Sequence, residues 1–378
     1  MWKVALKVSL PIASVLVALL VAELGLRAFN YPKPPSSGWK TLNSYPSERH
    51  ELGFRGQPIS YGDEDFVVVL VGDSQVEAKA CAYGWMPERR LQHYLGQGGQ
   101  KVKVFSLGGP ATGQDQQLLS LEEYYRRFHA DLVVLWLTPA NDVWNNIFPS
   151  GFPDDRNPKP TFWLEGGELR GPTERTGERP RETSSLRLRQ LWRKFFPYPR
   201  EREWEKILPA PYQPAGRCEG TPGDDWQQRM NALPDYLHYE HFDNDKNDRI
   251  LYLTPRSART QYGLDLTRQL MRRMEQLAAS RGARFAVFRT GPLAGAQGGP
   301  GADDTAYHLL NGKCYKTSGS QYEENLRYLT EGFRSYVIPV TVEPHDVGPE
   351  DAHLNEHATD QVIADLARQL QPLVEGKP

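Results

Sequence analysis

The stretch Phe66-Val-Val-Val-Leu-Val-Gly-Asp-Ser-Gln-Val-Glu-Ala78 decides the fold. An unbroken, mostly β-branched run that halts at Gly72-Asp73-Ser74 has the pattern of a central parallel strand, because a strand with one wet face would alternate polar and apolar residues. A serine just past the carboxyl end of such a strand falls in the crevice where open α/β sheets bind ligands. Ser74 is therefore a nucleophile candidate. The plainer alternative is that Asp73 and Ser74 only cap the following helix.

Reading outward, Val102–Gly108 is a second strand, followed by the glycine-bearing turn Gly108-Gly-Pro-Ala-Thr-Gly113, and Asp131–Leu137 is a third, with Thr138-Pro-Ala-Asn-Asp142 at its carboxyl end. Helical spacing of apolar residues covers Trp85–Leu95 and Gln114–His129, between and after these strands. The alternation resumes with a helix over Leu264–Ser280, a strand at Ala283–Phe288, a glycine-rich loop from Gly291 to Gly301, a helix over Tyr322–Phe333 and a strand at Tyr336–Val342. A last helix carries Val362, Ile363, Leu366 and Leu370 on one side. Five strands alternating with helices predict a flavodoxin-like, doubly wound α/β fold with a five-stranded parallel sheet.

Three further regions frame that domain. Residues 1–29 hold a charge-free run from Val8 to Ala22, flanked by Lys3, Lys7 and Arg27, which reads as an uncleaved signal anchor or transmembrane helix. Residues 30–60, rich in Pro, Ser and Gly, read as a spacer, leaving 61–378 as the folded domain. Within it, residues 144–255 show no strand run and many alternating charges, the pattern of a long irregular insertion. Its Leu186–Phe196 stretch is basic and amphipathic and is read as a short helix packed on the domain in preference to one lying on a membrane. Asp243–Asp248 resembles the start of a calcium loop, but Asp248 stands where glycine is needed, and it is read as a solvated turn.

Composition narrows the function classes. The 378 residues are 39% hydrophobic with a net charge of −2, enough for a full core and without the basic excess that nucleic acid attracts. Cys81, Cys218 and Cys314 show no Cys-x-x-Cys spacing, so neither a zinc ribbon nor a redox pair is indicated. If the domain is exported, Cys218 and Cys314, both in loop-like segments, are the expected disulfide, while Cys81 is read as a small buried apolar residue.

Four turns in this order resemble the SGNH hydrolases, a branch of the GDSL esterase and lipase superfamily. Gly72-Asp73-Ser74 matches the first block, the turn after the second strand the second, Asn141-Asp142 the third and Asp351-Ala-His353 the last. The resemblance spans about Val67 to Leu370 apart from the insertion. It implies a catalytic triad of Ser74 as nucleophile, His353 as base and Asp351 as the residue that orients the imidazole. It also implies an oxyanion hole of the Asn141 side-chain amide, the Ser74 backbone N–H and an N–H from the second block. The usual oxyanion glycine falls on Ala111, and since alanine resists a positive φ, Gly109 or Gly113 is an alternative donor. No cofactor and no metal are required by this chemistry.

The expectation is a membrane-anchored, periplasmic or otherwise extracytoplasmic serine esterase acting on an ester-bearing substrate, such as O-acyl groups of a cell-surface or secreted polysaccharide. An O-acyltransferase using the same acyl-serine intermediate, and a non-catalytic scaffold on a hydrolase fold, stay open. Beside the triad, His357 reads as an ordinary helix-start residue, His345-Asp346 as a weaker Asp/His pair, and Asp142 as an acceptor for backbone donors of its turn.

Overall fold

The computed structural model describes residues 2–29, 31, 48–151, 157–172, 186–188, 191, 204–222, 226–228, 245–293, 305–341 and 353–376. Its centre is a parallel sheet of β1 (Phe66–Gly72), β2 (Val102–Gly108), β3 (Leu132–Trp136), β8 (Arg284–Leu293) and β11 (Ser335–Val340), in the spatial order β11-β8-β3-β1-β2. All four pairings in this sheet are parallel. Taken in chain order within the sheet, this is the 2-1-3-4-5 arrangement of flavodoxin-like folds, whose switch point lies between β1 and β3.

The reason the β1 run carries no polar alternation is visible in its packing. Val67, Val69 and Val71 join the apolar cluster on one face, while Val68 and Leu70 join the cluster on the other. Each is fully buried, and burial of a side chain of this size contributes roughly 1.5–3 kcal/mol. The first face is covered by α4 (Gln114–Tyr124), α5 (Pro139–Ile147) and α6 (Ala258–Ser280), the second by α3 (Pro87–Gly96) and α8 (Glu356–Val374). On α6, Leu266, Leu270 and Met274 form the buried stripe that their spacing predicts.

Several boundaries differ from the sequence reading. Residues 48–60, read as spacer, are folded onto the domain. Arg55 is 2% exposed, and its guanidinium donates to the carbonyls of Ala78 at 2.5 Å, Glu77 at 3.3 Å and Cys81 at 2.9 Å, with Glu48 2.9 Å from Nε. Gln57 N–H donates to Glu88 at 2.7 Å, and Ser106 Oγ donates to the Arg55 carbonyl at 2.6 Å. A strap fixed by polar contacts has no apolar period, so it looks like a linker in sequence.

The glycine-rich loop after β8 leads to an antiparallel hairpin, β9 (Thr305–Leu310) and β10 (Lys313–Ser318), turning through Asn311-Gly312 with both φ positive. That Asn-Gly pair is the strongest short-range hairpin signal, and it went unread among the surrounding glycines. The insertion contributes two minimal hairpins, β4 (Ser150–Gly151) with β5 (Asn157–Pro158) and β6 (Trp163–Glu165) with β7 (Glu168–Arg170). Its later part docks on the hairpin: Tyr212, Trp226 and Leu253 pack with Leu310 and Tyr315. Cys218 and Cys314 form a disulfide there, with Cα atoms 5.2 Å apart. The helix α7 (Gly319–Thr330) follows, capped by Ser318.

At the amino terminus α1 spans Trp2–Ala28. The side chains of residues 1–10, 12 and 13 lie outside the described residues. Among the described residues no helix is long and apolar enough to cross a membrane. Of the Leu186–Phe196 stretch, only residues 186–188 and 191 are described. The backbone N–H groups of Arg187 and Leu188 donate to the Glu23 carboxylate of α1 at 2.9 and 2.8 Å.

Candidate active site

The carboxyl ends of β1, β2 and β3 deliver the first three turns to one place. Ser74 is the first residue of a four-residue helix, α2 (Ser74–Glu77), and Asp73 is its cap, accepting from Gln75 N–H at 2.9 Å. Gly72 is obligatory just before it, because an added Cβ would come within 2.5 Å of Val76 Cγ2 and 3.2 Å of the Trp136 carbonyl. The serine therefore does open a helix, and the capping reading describes Asp73 correctly. It does not account for what faces Ser74.

His353 Nε2 lies 2.7 Å from Ser74 Oγ. The loop that carries it is pinned on the carboxyl side of the contact. Leu354 N–H donates to Gln75 Oε1 at 3.3 Å, Asn355 caps α8 by accepting from Ala358 N–H at 2.8 Å, and Glu356 accepts from Ala82 N–H at 2.6 Å. Cys81 is buried under this loop, with Sγ 3.8 Å from the Leu354 carbonyl and 3.6 Å from Thr359 Oγ1. With the ring neutral and its proton on Nδ1, the Ser74 hydroxyl donates to Nε2, the arrangement a general base requires. Asp351, His345 and Asp346 lie outside the described residues. His357 is exposed and begins α8.

Asn141 enters from the first turn of α5. Its Nδ2 donates to Asp73 Oδ2 at 3.2 Å, and Thr138 Oγ1 donates to Asp73 Oδ1 at the same distance. Asp73 is fully buried, and burial pushes its carboxyl up. The donors from Gln75, Asn141 and Thr138, with the nearby His353 charge, work against that rise. One N–H of the Asn141 amide is thus fixed by Asp73, which sets the plane of the other. Asp142 accepts from Thr138 N–H at 2.7 Å, as its turn position suggests, and burial together with the Asp73 charge holds it well above the usual carboxylate range.

The second-block turn departs from expectation in one respect. Ala111 takes φ +52°, the left-handed conformation that alanine resists. The neighbours over-determine it: Thr112 Oγ1 donates to the Gly109 carbonyl at 2.8 Å and reaches the Gly72 carbonyl at 3.3 Å, Gly109 N–H donates to Gly72 at 3.4 Å, and Gln117 Nε2 donates to the Thr112 carbonyl at 2.8 Å. Gly113, by contrast, has an ordinary extended φ of −83° and serves as the cap of α4. Its lack of a side chain matters, since a Cβ would meet Asn146 Oδ1 at 2.5 Å.

Sequence reasoning missed three residues here. Asp248 accepts from Trp144 Nε1 at 2.9 Å; burial first, and the Asp73 charge further down, raise its carboxyl, while the His353 charge opposes the rise. Lys159 of the insertion forms a buried ion pair with Asp115 at the start of α4. Arg289 lies within β8, one residue past the last position paired with β3. Asp248 falls in what the sequence reads as a solvated turn, and a single charged residue carries no sequence signal of the distant partner it meets in the fold. Among the described residues no group of three His, Cys, Asp or Glu side chains could hold a metal ion.

No protein-family model matches the chain, and no curated protein is similar to it. Three solved structures bear a distant likeness. A proposed arylesterase from Agrobacterium tumefaciens str. C58 is 13% identical with a TM-score of 0.36, the match covering 81% of this chain and 98% of that one. A carbohydrate acetylesterase family member from Sinorhizobium meliloti is 11% identical with a TM-score of 0.34, covering 82% and 98%. An acetyl xylan esterase from the rumen bacterium Butyrivibrio proteoclasticus is 7% identical with a TM-score of 0.32, covering 84% and 66%. Likenesses at this level carry no argument about what this chain does, so its own site geometry has to carry the functional reading.

Proposed function

We propose that this chain is a serine esterase of SGNH type, and the observation that carries the reading is the 2.7 Å contact between His353 Nε2 and Ser74 Oγ at the carboxyl end of the central strand. His353 takes the hydroxyl proton as Ser74 Oγ attacks the ester carbonyl, forming a tetrahedral oxyanion. The Asn141 amide, held by Asp73, and backbone N–H groups at Ser74 and the Ala111 turn are the donors assigned to stabilise that charge. Imidazolium then protonates the leaving alkoxide, the acyl group stays on Ser74, and water activated by the same histidine releases the acid. Asp351, two residues before the base, is assigned to hold its tautomer and stabilise the imidazolium.

The same reading places the domain outside the cytoplasm, tethered by its amino terminus, with O-acyl groups of a surface or secreted polysaccharide as substrate class. Two features support the placement. The run from Val8 to Ala22 is free of charge, and its described part leaves Val15, Leu16, Leu20 and Val21 each more than half exposed instead of packed on the domain. The Cys218–Cys314 disulfide suits an oxidising compartment. Turnover of a panel of 4-nitrophenyl esters and acetylated oligosaccharides by the wild type, but not by the Ser74→Ala variant, is the expected result. An unchanged rate in that variant would refute the assignment.

A further inference from the structure

Arg289 lies level with the active centre. Val71 pairs with Leu135, Leu135 with Val287 and Trp136 with Phe288, and Leu137 N–H donates to the Phe288 carbonyl at 2.8 Å. One residue further along, Asp73, Leu137 and Arg289 occupy the same level of the sheet. Val71, Leu135 and Val287 all face the same apolar cluster, so strand alternation sends Asp73 and Arg289, two residues on, to that face as well. With β3 between them, β1 and β8 are about 10 Å apart.

The guanidinium of Arg289 is poorly used by the protein. The residue is 9% exposed. Its Nη1 is 3.5 Å from the Thr290 carbonyl and its Nη2 is 3.8 Å from the Glu323 carboxylate, at or beyond the limit of a hydrogen bond. Among the described residues its Nε has no partner. A buried cation with five N–H donors and no good acceptor among those residues is costly to fold around, and such groups persist where a ligand completes them. The surroundings lead back to the catalytic histidine. Tyr252 and Tyr322 stack with centroids 4.1 Å apart at 3°, both rings within reach of the Arg289 charge, and Tyr252 also within reach of Arg249. Arg249 adjoins Asp248, which Trp144 holds near His353.

We propose that Arg289, with Arg249 and Tyr252, forms a subsite for an anionic oxygen group, a carboxylate or a phosphate, carried by the substrate about 10 Å from the ester that Ser74 attacks. The planar fork of a guanidinium accepts either group in a bidentate manner, and Glu323, 44% exposed at its side chain, is free to turn to solvent when the anion arrives. An acylated uronic-acid chain or an acylated sugar phosphate has this chemistry. The subsite rests on the esterase reading for its meaning, but binding to an inert variant is measured without turnover, so the two fail separately.

The test is calorimetric binding to the full chain carrying Ser74→Ala, with trigalacturonate, glucose 6-phosphate and neutral xylotriose as probes. At least one anionic probe is expected to bind about tenfold more tightly than xylotriose, which one it is identifying the anion. Its affinity should fall as salt rises from about 0.02 to 0.2 M and drop about tenfold when Arg289→Gln is added. Adding Glu323→Gln instead should tighten binding, and this arm decides the matter if the Arg289→Gln protein does not fold. Equal affinity for all three probes, or anion binding indifferent to both substitutions, would overturn the subsite.

Discussion

The carboxyl ends of β1 and β3 and the middle of β8, which lies level with them in the sheet, handle buried charge in opposite ways. At the first, Asp73 is fully buried but receives donors from Gln75, Asn141 and Thr138, and His353 meets Ser74 at 2.7 Å. At the second, Arg289 is 9% exposed and, among the described residues, its Nε has no acceptor. Catalysis by preorganised dipoles requires groups already held in place before substrate arrives, so the chemical end must be satisfied internally. Recognition gains most where a charge is left for the ligand to complete.

The contrast is broken first at the nucleophile. Ser74→Ala should lower kcat by on the order of 10⁴–10⁶ with an unchanged melting temperature, because the described hydrogen bond of the hydroxyl is the one to His353 and the side chain is small. A large loss of stability would mean that Ser74 is part of the scaffold. Asn141→Ala is the next largest effect, on the order of 10²–10³ in kcat with KM little altered, since an oxyanion donor acts on the transition state. If KM rose and kcat held, Asn141 would belong to ground-state binding, nearer to the role given to Arg289.

Glu88 sharpens the same contrast where the strap meets α3. It is fully buried on α3, where burial raises its carboxyl to about 7 and the Gln57 N–H only partly offsets this. The protonated form is favoured by folding. Its contribution is therefore complete below the ordinary value of 4.5 and is lost as pH climbs through about 7. At about 1.4 kcal/mol per pH unit the gap amounts to roughly 3 kcal/mol. Chemical denaturation across this range should show that decline in the wild type and a flatter profile for Glu88→Gln; parallel profiles would remove Glu88 from the account.

The smallest effect belongs to Ala111. Its left-handed φ stores strain on the order of 1 kcal/mol, so Ala111→Gly should raise stability by up to about that amount while turnover persists. A marked drop in kcat with the glycine would show that the alanine's rigidity, and not only its backbone N–H, serves the oxyanion.

How far these features were legible in the sequence follows from what kind of contact makes them. β1, β2 and β3 were read from their apolar runs because both sheet faces are covered, and the α6 stripe from its period, with boundaries a few residues off. Ser74 stood out by its place after the central strand, whereas the roles of Asn141 and His353 followed from the resemblance of four turns, in order, to the SGNH hydrolases. The strap was lost because Arg55 is buried by satisfying carbonyls, a contact with no pattern in the chain. Ala111 was doubted on sound propensity grounds, and tertiary hydrogen bonds around Thr112 overrode them. Asp248, half-buried against Trp144, and Arg289 are single charges whose surroundings depend on distant segments meeting, which no local rule anticipates.

The central claim is that His353 activates Ser74, and intact-mass measurement of labelling by a serine-directed fluorophosphonate tests it most directly. The account predicts one adduct on the wild-type chain, none on Ser74→Ala, and labelling slowed about a hundredfold or more in His353→Ala. An unlabelled wild type, an adduct that survives Ser74→Ala, or a His353→Ala protein labelled at the wild-type rate would contradict it.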